Sequence, residues 1–193
     1  MDIRHKSPVK LAWLLFSLAL TLFLVACGKS ENTTTTPTPT PSVKTYSGDG
    51  YTLSYPQDWH VTTQGGIIQF SPSHGDQSPT FSIRSATFDN TPGTPGVSLD
   101  QQLAIEGNTL TGYQNYQSDK SVPATTSIGG DSWKGYGATY TQSGQQGKAV
   151  ILGDQHPANT GKIFIIHLSA TAESYNQVDS TVFQPIFQSF KFS

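Results

Sequence analysis

The sequence predicts an α+β domain, an antiparallel β-sheet flanked by helices, set behind an N-terminal leader and a stalk. Three observations predict it. Short stretches between Tyr51 and Ala170 alternate apolar and polar residues at period two, the mark of half-buried strands. One stretch among them changes to helical spacing behind a capping signal at Ser98. The tail from Ala172 returns to helical spacing, with Tyr175, Val178 and Val182 on one face.

The elements follow in chain order. Arg4, Lys6 and Lys10 make a basic start, and Leu11–Ala26 is an apolar run interrupted only by Ser17 and Thr21. This run is shorter than the ~20 residues a spanning helix needs. A basic start, a short apolar run and small residues at its end make a secretory signal peptide over residues 1–26. From Cys27 to residue 45 the chain is rich in Thr and Pro, with Val43 its only large apolar residue. Such a stretch cannot bury enough surface to offset its ordering entropy, so residues 28–45 read as a disordered tether.

The globular domain is expected over residues 46–193. "YTLSY" alternates Tyr51, Leu53 and Tyr55, and Pro56 ends it. "WHVTT" and "IIQFS" form a hairpin about Gly65-Gly66. "TFSIRSATF" is the next strand, and "DNTPGTPGV" is a loop by its Gly and Pro content. Ser98 with Gln101 is a capping box, and Leu99, Leu103, Glu106 and Leu110 follow on a helix ending near Gly112. Strands resume in "YQNYQSDKSV", "SWKGYGATYTQ", "KAVILGD" and "KIFIIHLSA", with "SGQQGK" as a hairpin turn. In the tail, Pro185 breaks the helix or starts a new turn, and Ile186 and Phe190 continue its apolar side.

Composition narrows the function. Charged residues are 12% of the chain, the formal net charge is −2, and the pI is ≈ 6.2. Nucleic-acid binding needs a basic patch to offset phosphate charge, and none is present, so no nucleic-acid partner is expected. Mean hydropathy is −0.33, which excludes a multispanning membrane protein. With Cys27 the one cysteine, neither an intrachain disulfide nor a multi-thiolate zinc site can form.

That cysteine has a distinctive setting. Leu24-Val25-Ala26-Cys27 stands at the end of the apolar run. The tetrapeptide resembles the lipobox of bacterial lipoproteins. The resemblance implies signal-peptidase recognition of Leu24, Val25 and Ala26, cleavage before Cys27, and a diacylglyceryl group on its thiol. Two acyl chains suffice for stable anchoring, at about 0.8 kcal/mol per buried CH₂. The implied location is the extracytoplasmic face of the cell membrane.

The domain carries a second resemblance. "YTLSYPQDWHV" and "FQPIFQSFKFS" are similar to the opening strand and the closing helix and strand of PsbP-like domains. That implies an α/β/α sandwich closed by aromatic residues. The best-known members are extrinsic lumenal subunits of photosystem II, and many bacterial relatives are lipoproteins or secreted proteins. No metal or binding residue of the family carries over to this chain.

A search for chemistry finds no H-E-x-x-H and no phosphate loop. Gly130-Asp131-Ser132-Trp133-Lys134 approaches a nucleophile elbow but lacks the final Gly, and reads as a turn entering a strand. His74 with Asp76, and Asp154 with His156, are His/Asp pairs able in principle to ligate a metal, and solvated loop positions account for both. His60 starts a strand, His167 reads as a satisfied strand residue, and Asp49 fits a Gly-Asp-Gly turn. We therefore expect no catalytic residues, no metal site and no cofactor. The expected function is a membrane-anchored lipoprotein displaying a non-catalytic binding or interaction domain, with a protein partner left open. Two alternatives stand beside it. One is an accessory subunit of a membrane complex, with calcium binding left open; the other is a hydrolase with an unrecognised site.

Overall fold

A computed structural model of the chain describes residues 42–72, 79–88, 97–158 and 161–193. All of them lie in the compact unit Thr40–Ser193. Cys27 with its preceding tripeptide, the stalk to residue 41, His74, Asp76 and residues 89–96 of the Gly/Pro loop lie outside the described residues.

The alternating stretches form strands that bury one side-chain set, as β2 does, and the apolar runs form central strands that bury both. β1 (Val43–Gly48) pairs antiparallel with β2 (Tyr51–Pro56), whose Tyr51, Leu53 and Tyr55 are buried while the intervening residues are half-buried. β1 starts at Val43, three residues before the Tyr46 boundary expected from composition. Val43, Lys44 and Thr45 are exposed, so only their ladder to Pro56, Tyr55 and Ser54 marks them as strand.

A larger antiparallel sheet follows. β3 (His60–Gln64) and β4 (Ile67–Ser71) form the expected hairpin, and β5 (Thr80–Thr87) pairs with β4. α1 (Leu99–Thr111) begins at the predicted capping box: Ser98 Oγ accepts from the Gln101 N–H, and the Gln101 side chain accepts from the Ser98 N–H. Then come β6 (Gln114–Asp119), β7 (Thr125–Ile128), β8 (Asp131–Gln142), β9 (Gln145–Gln155) and β10 (Lys162–Thr171). The strand order is β3-β4-β5-β10-β9-β8-β6, with β7 beside β6 on the same edge of β8. The "SGQQGK" turn is tighter than expected. Only Ser143 and Gly144 turn, both at positive φ, and strand pairing resumes at Gln145.

The tail departs from a regular helix. α2 (Tyr175–Val178) passes into a π-helical turn (Asp179–Phe183) and then α3 (Gln184–Ser189). The backbone N–H of Gln184 reaches back to the Asp179 carbonyl, five residues earlier. Pro185, which has no N–H to give, sits in the first turn of α3. The wider turn brings Phe183 fully into the core, leaving Val182 half-buried. β11 (Lys191–Phe192) then pairs with β2, so the small sheet runs β1-β2-β11.

Each face of the large sheet has its own core. The first holds Phe81, Ile83, Trp133, Leu152, Phe164 and Ile166, covered by the small sheet and by α2, the π-turn and α3. Aromatic residues close it as the termini suggested: Tyr51 stacks on Phe190 at 5.6 Å, and Trp133 on Phe192 at 6.0 Å. The second face holds Ala149, Ile151, Ile163 and Ile165 under Leu103 and Leu110 of α1. Gly153 lets α1 come close: a Cβ there would stand 2.9 Å from the side chains of Leu99, Leu103 and Ile165. Each large apolar side chain so buried contributes about 1.5–3 kcal/mol.

Candidate functional site

A cleft opens on the first face where the covering helices stop short of the sheet edge. β9 and β10 supply an apolar floor of Val150, Leu152 and Leu168, and α3 adds Phe187. Ser121 and Thr126 line one wall, while Asn176, Asp179 and Gln184 line the other. The cavity measures about 260 Å³. A second cavity of about 360 Å³ adjoins it and shares Gln184 and Phe187; Ser127, Gly129, Gln188 and Lys191 also line it.

One cation faces the first cavity, and it is already paired. Lys148 Nζ lies 2.8 Å from Asp119 Oδ2 and 4.8 Å from the centre of the Tyr175 ring. Asp119 also accepts from the Ser121 hydroxyl at 2.6 Å and the Ser121 N–H at 2.9 Å. The Lys148 bond first, and then the two Ser121 bonds, pull its carboxyl down to about 2. Burial, reinforced by Asp179 and Asp119, pushes the Tyr175 hydroxyl up, so it stays protonated. The cleft thus offers an apolar floor, hydroxyl and amide side chains, and the Asp179 carboxylate, with its lysine charge compensated.

A second polar constellation lies under α1. Glu106 accepts from Arg84 Nη2, from Gln102 Nε2 at 3.1 Å, and from His167 Nε2–H at 2.9 Å. Burial, and then the Arg84 charge, push the His167 imidazole down to about 4, so it is neutral at pH 7. Burial lowers Arg84 from its ordinary value too. A cavity of about 60 Å³, lined by Ser82 and Ile67 among others, lies beside it. The expectation of a satisfied strand histidine at His167 holds. Sequence reasoning did not assign Arg84 and Glu106 to a site; a charged residue on the Leu99–Leu103–Leu110 stripe was the available signal.

The other candidates do not converge. Asp154 accepts from the Gln155 N–H at 2.8 Å, and burial pushes its carboxyl up. His156 Nδ1 accepts from the Ala158 N–H at 3.1 Å, so Nε2 carries the proton and faces the Ser193 carbonyl at 3.3 Å. Asp49 pairs with Lys162 Nζ at 2.7 Å from the expected turn, and His60 is exposed at the start of β3. Gly129-Gly130 forms the turn into β8, so Asp131-Ser132 is strand and no nucleophile elbow. Among the described residues no group of three or more His, Cys, Asp or Glu is placed to hold a metal ion.

No known family model matches the chain, and no curated protein matches it. Solved structures do. LpqN of Mycobacterium tuberculosis, described as involved in cell envelope biogenesis, superposes with a TM-score of 0.54 at 14% identity. The match covers 80% of this chain and 91% of LpqN. A Bacteroides thetaiotaomicron protein matches at TM-score 0.45 and 13% identity, over 74% of this chain and 45% of its own. The Ran-binding protein Mog1p of Saccharomyces cerevisiae matches at TM-score 0.45 and 10% identity, over 79% and 96%. At such identities the LpqN likeness speaks for architecture alone. This chain shares with LpqN an α+β architecture, an antiparallel sheet with helices on both faces.

Proposed function

We propose that the protein is a lipoprotein, held at the extracytoplasmic face of the membrane through lipid on Cys27, whose globular domain binds a ligand and catalyses no reaction. The cleft is the observation that carries the binding reading. Its apolar floor, hydroxyl and amide walls and the Asp179 carboxylate suit holding a ligand, and its lysine is occupied by Asp119. The anchor rests on Leu24-Val25-Ala26-Cys27 at the end of the apolar run. Among the described residues no helix is long and apolar enough to cross a membrane. By analogy of fold, a role at the cell envelope such as LpqN is described with fits this placement.

Labelling with radioactive fatty acid tests the anchor. Wild-type protein should take up label and Cys27→Ser should not; labelled Cys27→Ser protein refutes the assignment. A panel of ester, peptide and glycoside substrates tests the second half. Turnover that survives purification and is lost on substitution of a cleft residue would make the protein a hydrolase.

A further inference from the structure

β7 is a short edge strand beside the cleft, and its backbone polarity can be assigned. Its register on β8 is Thr125↔Lys134, Thr126↔Trp133, Ser127↔Ser132 and Ile128↔Asp131. The Gly135 N–H donates to the Ala124 carbonyl at 2.9 Å, so Ala124 and Gly135 form a hydrogen-bonded pair. Antiparallel pairs alternate, so Thr126 and Ile128 bond to β8 while the N–H and C=O of Thr125 and Ser127 point outward. Among the described residues β7 has no strand partner but β8. An outward row of backbone donors and acceptors is a template for another strand.

Two cavities lie along that edge. Thr126 lines the first and Ser127 the second, and Gln184 and Phe187 line both. Alternate side chains of an extended chain point the same way about 6.6 Å apart, so two of them can enter neighbouring cavities that share Gln184 and Phe187. The groove is also polar end to end. Asp179 stands at the first cavity and Lys191 at the second, while Lys148 is compensated by Asp119.

We propose that β7 takes an extended peptide segment of a partner protein as an added strand. Its backbone bonds to Thr125 and Ser127. An apolar side chain enters the first cavity over Val150, Leu152 and Leu168. A basic residue lies at the Asp179 end and an acidic residue at the Lys191 end. This deepens the binding reading above and rests on it.

The test uses the full-length chain in detergent and a phage-displayed library of random peptides about ten residues long, the length of a long strand. Selected peptides should carry an apolar residue between a basic and an acidic one. Binding of a synthetic selected peptide, read by fluorescence anisotropy, should weaken about ten-fold in Ser127→Pro, which removes one outward N–H and leaves the β7–β8 ladder intact. Ser127→Ala should stay within about two-fold, because only backbone is used. N-methylation along the peptide leaves the protein unaltered, and it should abolish binding at every second position only. Selection of no peptide, or an N-methyl scan without period two, overturns the proposal. If a non-peptide ligand stabilises the protein while these assays fail, the binding reading stands and the added strand falls.

Discussion

Replacing Glu106 by leucine is expected to cost about 3 kcal/mol of stability, and the figure can be built from its partners. The carboxylate accepts from Arg84, Gln102 and His167. Removing it strands three donors at once. A buried donor left without its acceptor costs about 1–3 kcal/mol, and a broken buried ion pair about 3–5 kcal/mol. Gln102 is buried, but the side chains of Arg84 and His167 are 31% and 30% exposed, so water meets part of their demand. That screening places the sum at the low end of the ion-pair range. The measurement is urea unfolding of Glu106→Leu, Arg84→Met and the double variant. The double variant should be more stable than Glu106→Leu alone, because no uncompensated charge remains, while Gln102 still lacks its acceptor. A loss below about 1 kcal/mol in Glu106→Leu, or a double variant worse than the sum of the singles, would refute the argument that this cluster behaves as a buried network.

Acid should find the same cluster through His167. Its pKa falls from 6.5 to about 4 on folding, so between these values the unfolded chain binds the extra proton, and stability declines as pH falls through that window. With the ring partly exposed, the loss attributable to it is about 1–2 kcal/mol, and His167→Asn should flatten this part of the stability–pH curve; an unchanged slope refutes the assignment. Lys148→Met should move the Asp119 carboxyl from about 2 towards its ordinary value in an NMR titration, and an unmoved Asp119 would show that Lys148 is not the main cause. Gly129→Ala should cost about 2–3 kcal/mol, since its φ is +63° and a Cβ would stand 2.8 Å from the Phe190 carbonyl oxygen. Gly130→Ala meets no neighbouring atom and should cost only about 1 kcal/mol; equal losses at the two glycines would remove Phe190 from the explanation.

What was legible in the sequence had local causes. β2 and β5 announce themselves through period-two alternation, β9 and β10 through apolar runs that are buried on both faces, and α1 through Ser98 and Gln101. β1 and β7 do not. Val43–Thr45 read as the end of a Thr/Pro stretch, and Thr125–Ile128 is a short, mostly polar run after Pro123. Both are strands because a distant segment offers its edge, which no window of sequence contains. The cleft was illegible for the same reason: Thr126, Val150, Asp179 and Phe187 meet only through the fold. Glu106 was half legible. It sat at helical spacing with leucines and with Gln102, yet its partners Arg84 and His167 lie on β5 and β10, which no helical pattern names.

The pairing of β11 with β2 also sets the order in which the protein can become itself. Ser54 and Ser189, hydrogen-bonded at 2.8 Å, are 135 positions apart, and Phe183, Phe187, Phe190 and Phe192 arrive with the second of them. Tyr51, Leu53 and Phe70 therefore have no complete cover while the chain is still being made. Contacts this far apart in sequence form late and slowly, because the loop must close before any contact rewards it. A growing chain leaves β2 uncovered until residues 183–192 have been made. That leaves the unfinished chain exposed to misassociation in a crowded compartment. In this architecture the segment 183–192 acts as a latch, closing the core over β2 only once it has been made.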